Sequence, residues 1–108
     1  QYKQAVLRAK DRSTVLTGVS TGHPVRVLEN ALTREFAALE KQQASTEELD
    51  KLGAGKLRLA AREGDVHQGS VMIGQIAGMI HDVKPVKTII EELVAGYAQV
   101  VRQLAPKL

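Results

Sequence analysis

Residues 14–36 read TVLTGVSTGHPVRVLENALTREF, and the fold turns on how many strands this stretch holds. Thr14, Val15, Leu16 and Thr17 include β-branched residues that favour an extended backbone. One short strand is therefore predicted at Thr14–Thr17, running into a loop that closes at Gly22. Pro24 suits a first helical turn, where its missing N–H is no loss. From there Val25, Leu28, Leu32, Phe36 and Leu39 recur on one face, while Arg26, Glu29, Arg34 and Glu40 lie mainly on the others. The spacing predicts an amphipathic helix after Pro24, with room for a break at Thr33 inside NALTREF. A lone strand cannot satisfy its own backbone donors and acceptors. The segment is thus expected to belong to something larger.

Upstream, YKQAVLRAKD reads as a short helix with Ala5, Val6 and Ala9 at helical spacing, followed by a turn at Asp11–Ser13. Downstream, KQQAST is a polar linker. Ser45 and Glu48 stand at capping-box spacing, so a short helix is predicted from Thr46 to Leu52, ending at Gly53. KLRLAARE predicts a further helix closed by Gly64, and residues 65–69 a polar turn. Ile73, Ile76, Ala77 and Ile80 share a helical face, which predicts a short helix over 72–80. In the final element Val86, Ile89, Ile90, Leu93, Val94, Tyr97, Val101 and Leu104 follow i, i+3, i+4, i+7 spacing. Pro85 starts that helix and Pro106 stops it.

Composition narrows the function. Among 108 residues only Tyr2, Phe36 and Tyr97 are aromatic, so a core must rest on Leu, Val, Ile and Ala. It is expected to be thin, or shared with a partner surface. The absence of cysteine excludes a disulfide scaffold, a Cys-based zinc site and a cysteine nucleophile, and fits a reducing cytoplasm. No apolar run reaches the roughly 18 residues of a membrane span. The N-terminal QYKQAVLRAKD lacks a signal-peptide core, and its start on Gln1 points to a processed or partial chain. The net charge of +3 favours an acidic partner. Dispersed Lys and Arg with few aromatics argue against nucleic acid.

The chemistry of isolated motifs is sparse. His23, His67 and His81 do not form a local metal motif, and G-x-S-x-G, G-x-G-x-x-G and the P-loop pattern are all missing. Glu47–Glu48 and Glu91–Glu92 are sequence neighbours whose side chains diverge by about 100° on a helix, so neither is a catalytic dyad. His23 stands beside Gly22 in a loop after the strand, a common place for a site. GSVMIGQIAGMI (69–80) is the remaining stretch of interest: Gly74 and Gly78 allow a close approach, and Gln75 is its only amide side chain. Met72 and Gln75 each have an ordinary reading too, as gap filler and as loop hydrogen-bonder.

Three strings together carry a resemblance: GHPVRVLENALTREF (22–36), LGAGKLRLAAREGDVHQGSVMIGQIAGMI (52–80) and IIEELV (89–94). The chain resembles, over nearly its whole length, the C-terminal part of the FMN-dependent enoyl-acyl-carrier-protein reductases of the FabK type. That family is related to the nitronate monooxygenases, once called 2-nitropropane dioxygenases. The resemblance implies a mostly α segment with one short strand, forming the C-terminal end and helical lid subdomain of an α/β (β/α)8 (TIM) barrel. Residues 1–22 would end the barrel as helix, strand and loop. Residues 23–108 would form a mainly helical subdomain with a final packing helix over 86–104.

The implied activity is reduction of an enoyl thioester on acyl carrier protein in fatty-acid biosynthesis, in the cytoplasm, with FMN as cofactor and NADH or NADPH as hydride donor. No catalytic residue is expected in this segment, which alone should be inactive; the family's histidine acid and phosphate glycines would lie upstream. Met72, Gly74 and Gln75 match the string whose loop approaches the flavin and substrate pocket. Gly22 and His23 match the other string, in the lid. Thr21 and Pro24 stand where members often carry Phe and Ala, and Ile73 where Ala is common. Acyl carrier protein, the barrel portion of the same protein and a homodimer are the partners it allows, with no metal, nucleic acid or membrane. The competing readings are a nitronate monooxygenase on the same FMN barrel and a stand-alone helical binding module.

Overall fold

The computed structural model describes residues 1–105. Helix α1 (Tyr2–Arg8) leads into strand β1 (Thr14–Thr17), which pairs antiparallel with β2 (Val25–Leu28). Four further helices follow: α2 (Ala31–Lys41), α3 (Thr46–Gly53), α4 (Lys56–Glu63) and α5 (Val86–Leu104). The mostly helical class holds, but the predicted lone strand has a partner. In the register, Thr14 faces Leu28 and Thr17 faces Val25.

Here the predicted helix from Pro24 is corrected. Residues 25–28 form a strand, and the helix begins only at Ala31. Val25 and Leu28 suit a helical stripe, but Val-Arg-Val also alternates, and β-branched valines fit a pleated surface. The antiparallel partner at β1 resolves that ambiguity. Asn30 then starts α2 with a capping box: its side chain accepts from the Thr33 N–H at 3.1 Å, and Thr33 Oγ1 accepts from the Asn30 N–H at 2.9 Å. The break in NALTREF thus comes before Ala31, with Thr33 as its third helical residue. The boundary between residues 22 and 23 falls in the loop that joins the two paired strands.

The predicted helix over 72–80 is the second correction. Residues 70–74 hold no helix: Met72 bridges to a strand, Gly74 is extended, and only Gln75–Met79 coils, as a 3-10 turn. Glycine at 74 and 78 weakens a helix here by roughly 1 kcal/mol each. The extended alternative is rewarded by β2: the Leu28 N–H donates to the Val71 carbonyl at 2.9 Å, and Val27 forms a bridge with Met72. Gly78 does make a close approach, since a Cβ there would stand 2.9 Å from the Asp11 nitrogen, after α1.

The other elements follow the sequence closely. The box at α3 forms as predicted, with the Ser45 N–H donating to Glu48 Oε2 at 2.8 Å and the Glu48 N–H to Ser45 Oγ at 3.2 Å. Gly64, at φ +78°, ends α4 in the left-handed conformation that glycine adopts freely. Pro106 lies outside the described residues. The core is small: Ala5, Ala60, Val66 and Val71 cluster beneath Tyr2, Leu28 and Ile73. Helix α5 buries none of its residues against the rest of the described chain.

Candidate functional site

An open groove of about 620 Å3 runs between the hairpin with α2 and the helices α3 and α4. That volume lies within the roughly 300–1,000 Å3 typical of small-molecule sites. Its floor is apolar and comes from alternate residues of β2, Val25 and Val27, with Leu32 and Phe36 of α2 and Leu49 of α3. Val27, Leu32 and Leu49 are buried. Polar groups border it: the hydroxyls of Thr17, Thr21, Thr46 and Ser70, the charges of Asp50 and Lys56, and the His23 imidazole.

The loop that carries His23 is shaped by its glycines and one threonine. Gly18 at φ +72° and Gly22 at φ +77° both turn left-handed, on either side of a 3-10 turn at Val19–Thr21. Thr21 Oγ1 donates to the Gly18 carbonyl at 2.7 Å and accepts from the His23 N–H at 3.3 Å. Ser20 ties the loop to α2 by donating from its N–H and its hydroxyl to Glu40 Oε1, at 3.2 and 2.9 Å.

The opposite border is the segment Ser70–Met72, which runs beside β2. Asn30 anchors its approach: the amide nitrogen donates to the Val66 and Gly69 carbonyls at 2.9 and 2.8 Å. Asp65 holds the turn before it, accepting from the N–H groups of His67 and Gln68 at 3.0 and 2.8 Å. The Gln68 bond chiefly holds the Asp65 carboxyl below its ordinary range. Tyr2, on α1, donates its hydroxyl to the Met72 carbonyl at 2.7 Å. Burial pushes the Tyr2 phenol above its ordinary range.

Of the residues singled out in the sequence, His23 and Met72 come together on this groove. Both side chains are exposed, Met72 at 44%. Gly22 adjoins His23 without lining the groove. Gly74 and Gln75 lie beyond Met72 on the exposed edge, where Gly74 is extended and Gln75 opens the 3-10 turn. His67 and His81 are exposed and take no part. Sequence reasoning missed Tyr2, Asn30 and Thr17; the N-x-x-T spacing of Asn30 and Thr33 was the one local signal available. Among the described residues no cluster of His, Asp or Glu could hold a metal, and no helix is long and apolar enough to cross a membrane.

The family model for nitronate monooxygenase matches residues 1–96. The chain belongs to the nitronate monooxygenase family. Within it, the resemblance to FabK-type proteins holds in three dimensions. The chain superposes on the structure of FabK from Thermotoga maritima with a TM-score of 0.89 and 37% identity, over 99% of this chain and 34% of that one. A mutant FabK from the same organism gives a TM-score of 0.79 and 34% identity, over 99% of this chain and 31% of that one. The chain therefore spans only part of these family members, as a mostly helical piece of a TIM-barrel protein with a two-stranded sheet. Comparison with curated proteins gives no match.

Proposed function

We propose that this segment covers the FMN site of an enoyl-acyl-carrier-protein reductase and supplies one wall of its substrate pocket. The placement of Met72 carries the reading: its backbone is tied to β2, while its side chain stays exposed on the groove that His23 also lines. A thioether packs well on a flat conjugated ring or an acyl chain. At Gly74 the nearest atom to an added Cβ would be the Ile76 Cγ2 at 3.9 Å, so a planar group can approach this backbone closely. These residues fit the ring portion of a flavin, with Gln75 placed to hydrogen-bond a polar edge.

Bound FMN supplies the hydride relay from NADH or NADPH to the enoyl thioester. The work of this chain is to bind and to shield. Met72 with the Val25 and Val27 floor keeps water from the apolar part of the substrate. The left-handed turn at Gly22 delivers His23 to the rim, where it borders the polar end. The proton donor belongs to the remainder of the protein in this reading. Residues 1–22 then end the barrel and residues 23–108 form the subdomain, with the β1–β2 hairpin joining the two. The partner is acyl carrier protein, an acidic surface suited to the net charge of +3. Assembly as a homodimer is compatible with this arrangement.

The test is the intact protein, purified and assayed for NADH or NADPH oxidation with a crotonyl thioester. A yellow preparation with thioester-dependent turnover is expected. A flavin-free preparation, or no dependence on thioester, would sink the proposal.

The family match favours a second reading, oxidation of alkyl nitronates on the same flavin. Oxygen uptake with alkyl nitronates and little NADH use would select it. A self-standing helical module is disfavoured by α5, whose apolar face has no cover among the described residues.

A further inference from the structure

Tyr2 and Met72 lie 70 residues apart in sequence, yet the Tyr2 hydroxyl donates to the Met72 carbonyl oxygen at 2.7 Å. The Tyr2 ring is half-buried on the Ala5, Ala60, Val66 and Val71 cluster. Its hydroxyl therefore reaches Met72 from a rigid base. A phenol is a donor throughout the neutral range at its ordinary value of 10.0, and burial raises this one further.

Ahead of Met72 the segment is held by α4, whose Lys56 carbonyl accepts from the Ser70 N–H at 2.9 Å. Strand β2 holds it through the Leu28 N–H on the Val71 carbonyl and the bridge of Val27 with Met72. A bridge of one residue pair sets the height of a segment along a strand but resists rotation poorly. The bond from α1 acts on a different group, the carbonyl of the 72–73 peptide. At Met72 itself the two holds are the β2 bridge and the α1 bond, and the orientation of that peptide sets the path into Gly74.

We infer that Tyr2 is a positioning residue, whose phenol orients the 72–73 peptide and so aims Met72 into the groove. This rests on the reading of Met72 as a pocket residue. The role differs from that of the aromatic ring, which packs in the core and would be served equally by phenylalanine.

The test is Tyr2→Phe in the full-length flavin-loaded protein, carrying 13C-methyl methionine. The Met72 resonance is assigned by its loss in Met72→Leu. The Met72 methyl resonance should shift or broaden in Tyr2→Phe, while that of Met79 stays in place. Turnover of the enoyl thioester should fall about three- to tenfold in kcat, the loss of one oriented hydrogen bond, with little change in KM. Adding Tyr2→Phe to Met72→Ala should cause no further loss, because the two act through one group. An unmoved Met72 resonance overturns the inference whatever the enzyme's activity. So do losses that multiply in the double variant. A moved resonance with full turnover in Met72→Ala overturns the pocket reading instead, and the positioning role falls with it.

Discussion

Gly69 shows how one missing side chain lets two segments meet. A Cβ there would stand 2.6 Å from the Ala60 nitrogen and 2.7 Å from the Ala60 Cβ, and would run into the Asp65 carbonyl oxygen. None of these atoms ends a flexible side chain, so nothing yields. Gly69→Ala is expected to cost about 1–3 kcal/mol, read as a lower midpoint in urea. An unchanged midpoint would contradict the close approach. Asp65 makes a pH prediction. Its folded-state pKa lies below the ordinary 3.8, chiefly because the Gln68 N–H stabilises the carboxylate. That stabilisation is present above about pH 3.8 and is lost as the pH falls through the lower folded-state value. Asp65→Asn should flatten this acid limb of the stability profile in denaturation curves taken from pH 5 to pH 2. The polar turn at 65–69 was legible from its residues. The need for glycine at 69 was not, because it arises from how the turn folds its Asp65 carbonyl back and from Ala60, on a helix that packs against it.

Elements with their own punctuation were legible in the sequence. For α3, the Ser45 and Glu48 pair is a local signal, since each satisfies the other's free N–H within four residues. Ser45→Ala is expected to cost about 1 kcal/mol, measured as a shift in the denaturation midpoint, with Ser45→Thr nearly neutral. Helix α5 was legible because its stripe repeats over 19 residues. The stretches 25–28 and 72–74 were misread for a common reason. Short apolar runs suit either period, and the choice is made by a neighbouring strand. Leu28 and Val71 meet by a backbone hydrogen bond that no spacing rule encodes. The groove inherits this: Val25 and Val27 form its floor because 25–28 is a strand, so alternate side chains point the same way.

At the largest scale, the chain is elongated. Its radius of gyration is 18.0 Å, with extents of 57 × 32 × 19 Å. A compact domain of this length would have a radius near ~13 Å. Along α5, Ile89 and Val94 bound an apolar arc of about 140°, wider than a coiled-coil seam and suited to a broad packing surface. Leu93, Val94 and Tyr97 are 64%, 64% and 73% exposed there. The isolated segment is therefore expected to bind a hydrophobic dye, to melt without a sharp transition and to show no tight FMN binding by titration. A dye-silent, cooperative melt would mean that the segment stands alone. In the full-length protein, Leu93→Glu should lower the melting temperature strongly, because it places an unpaired charge against a covered face. Retention of the wild-type melting temperature would show that the face is uncovered there too.

The sequence by itself determined the family, the capped helix α3, the long stripe of α5 and the loop that bears His23. These depend on residues within a few positions of one another, or on strings specific enough to be matched. Only the tertiary structure decided that β1 has a partner, that Val71 and Met72 run beside β2, and that Tyr2 grips Met72. Each of these is a contact between segments distant in sequence, where the backbone polar groups of one must be satisfied by the other. A hydrogen-bond requirement of that kind has no periodicity to read, and so it shows only once the chain has folded.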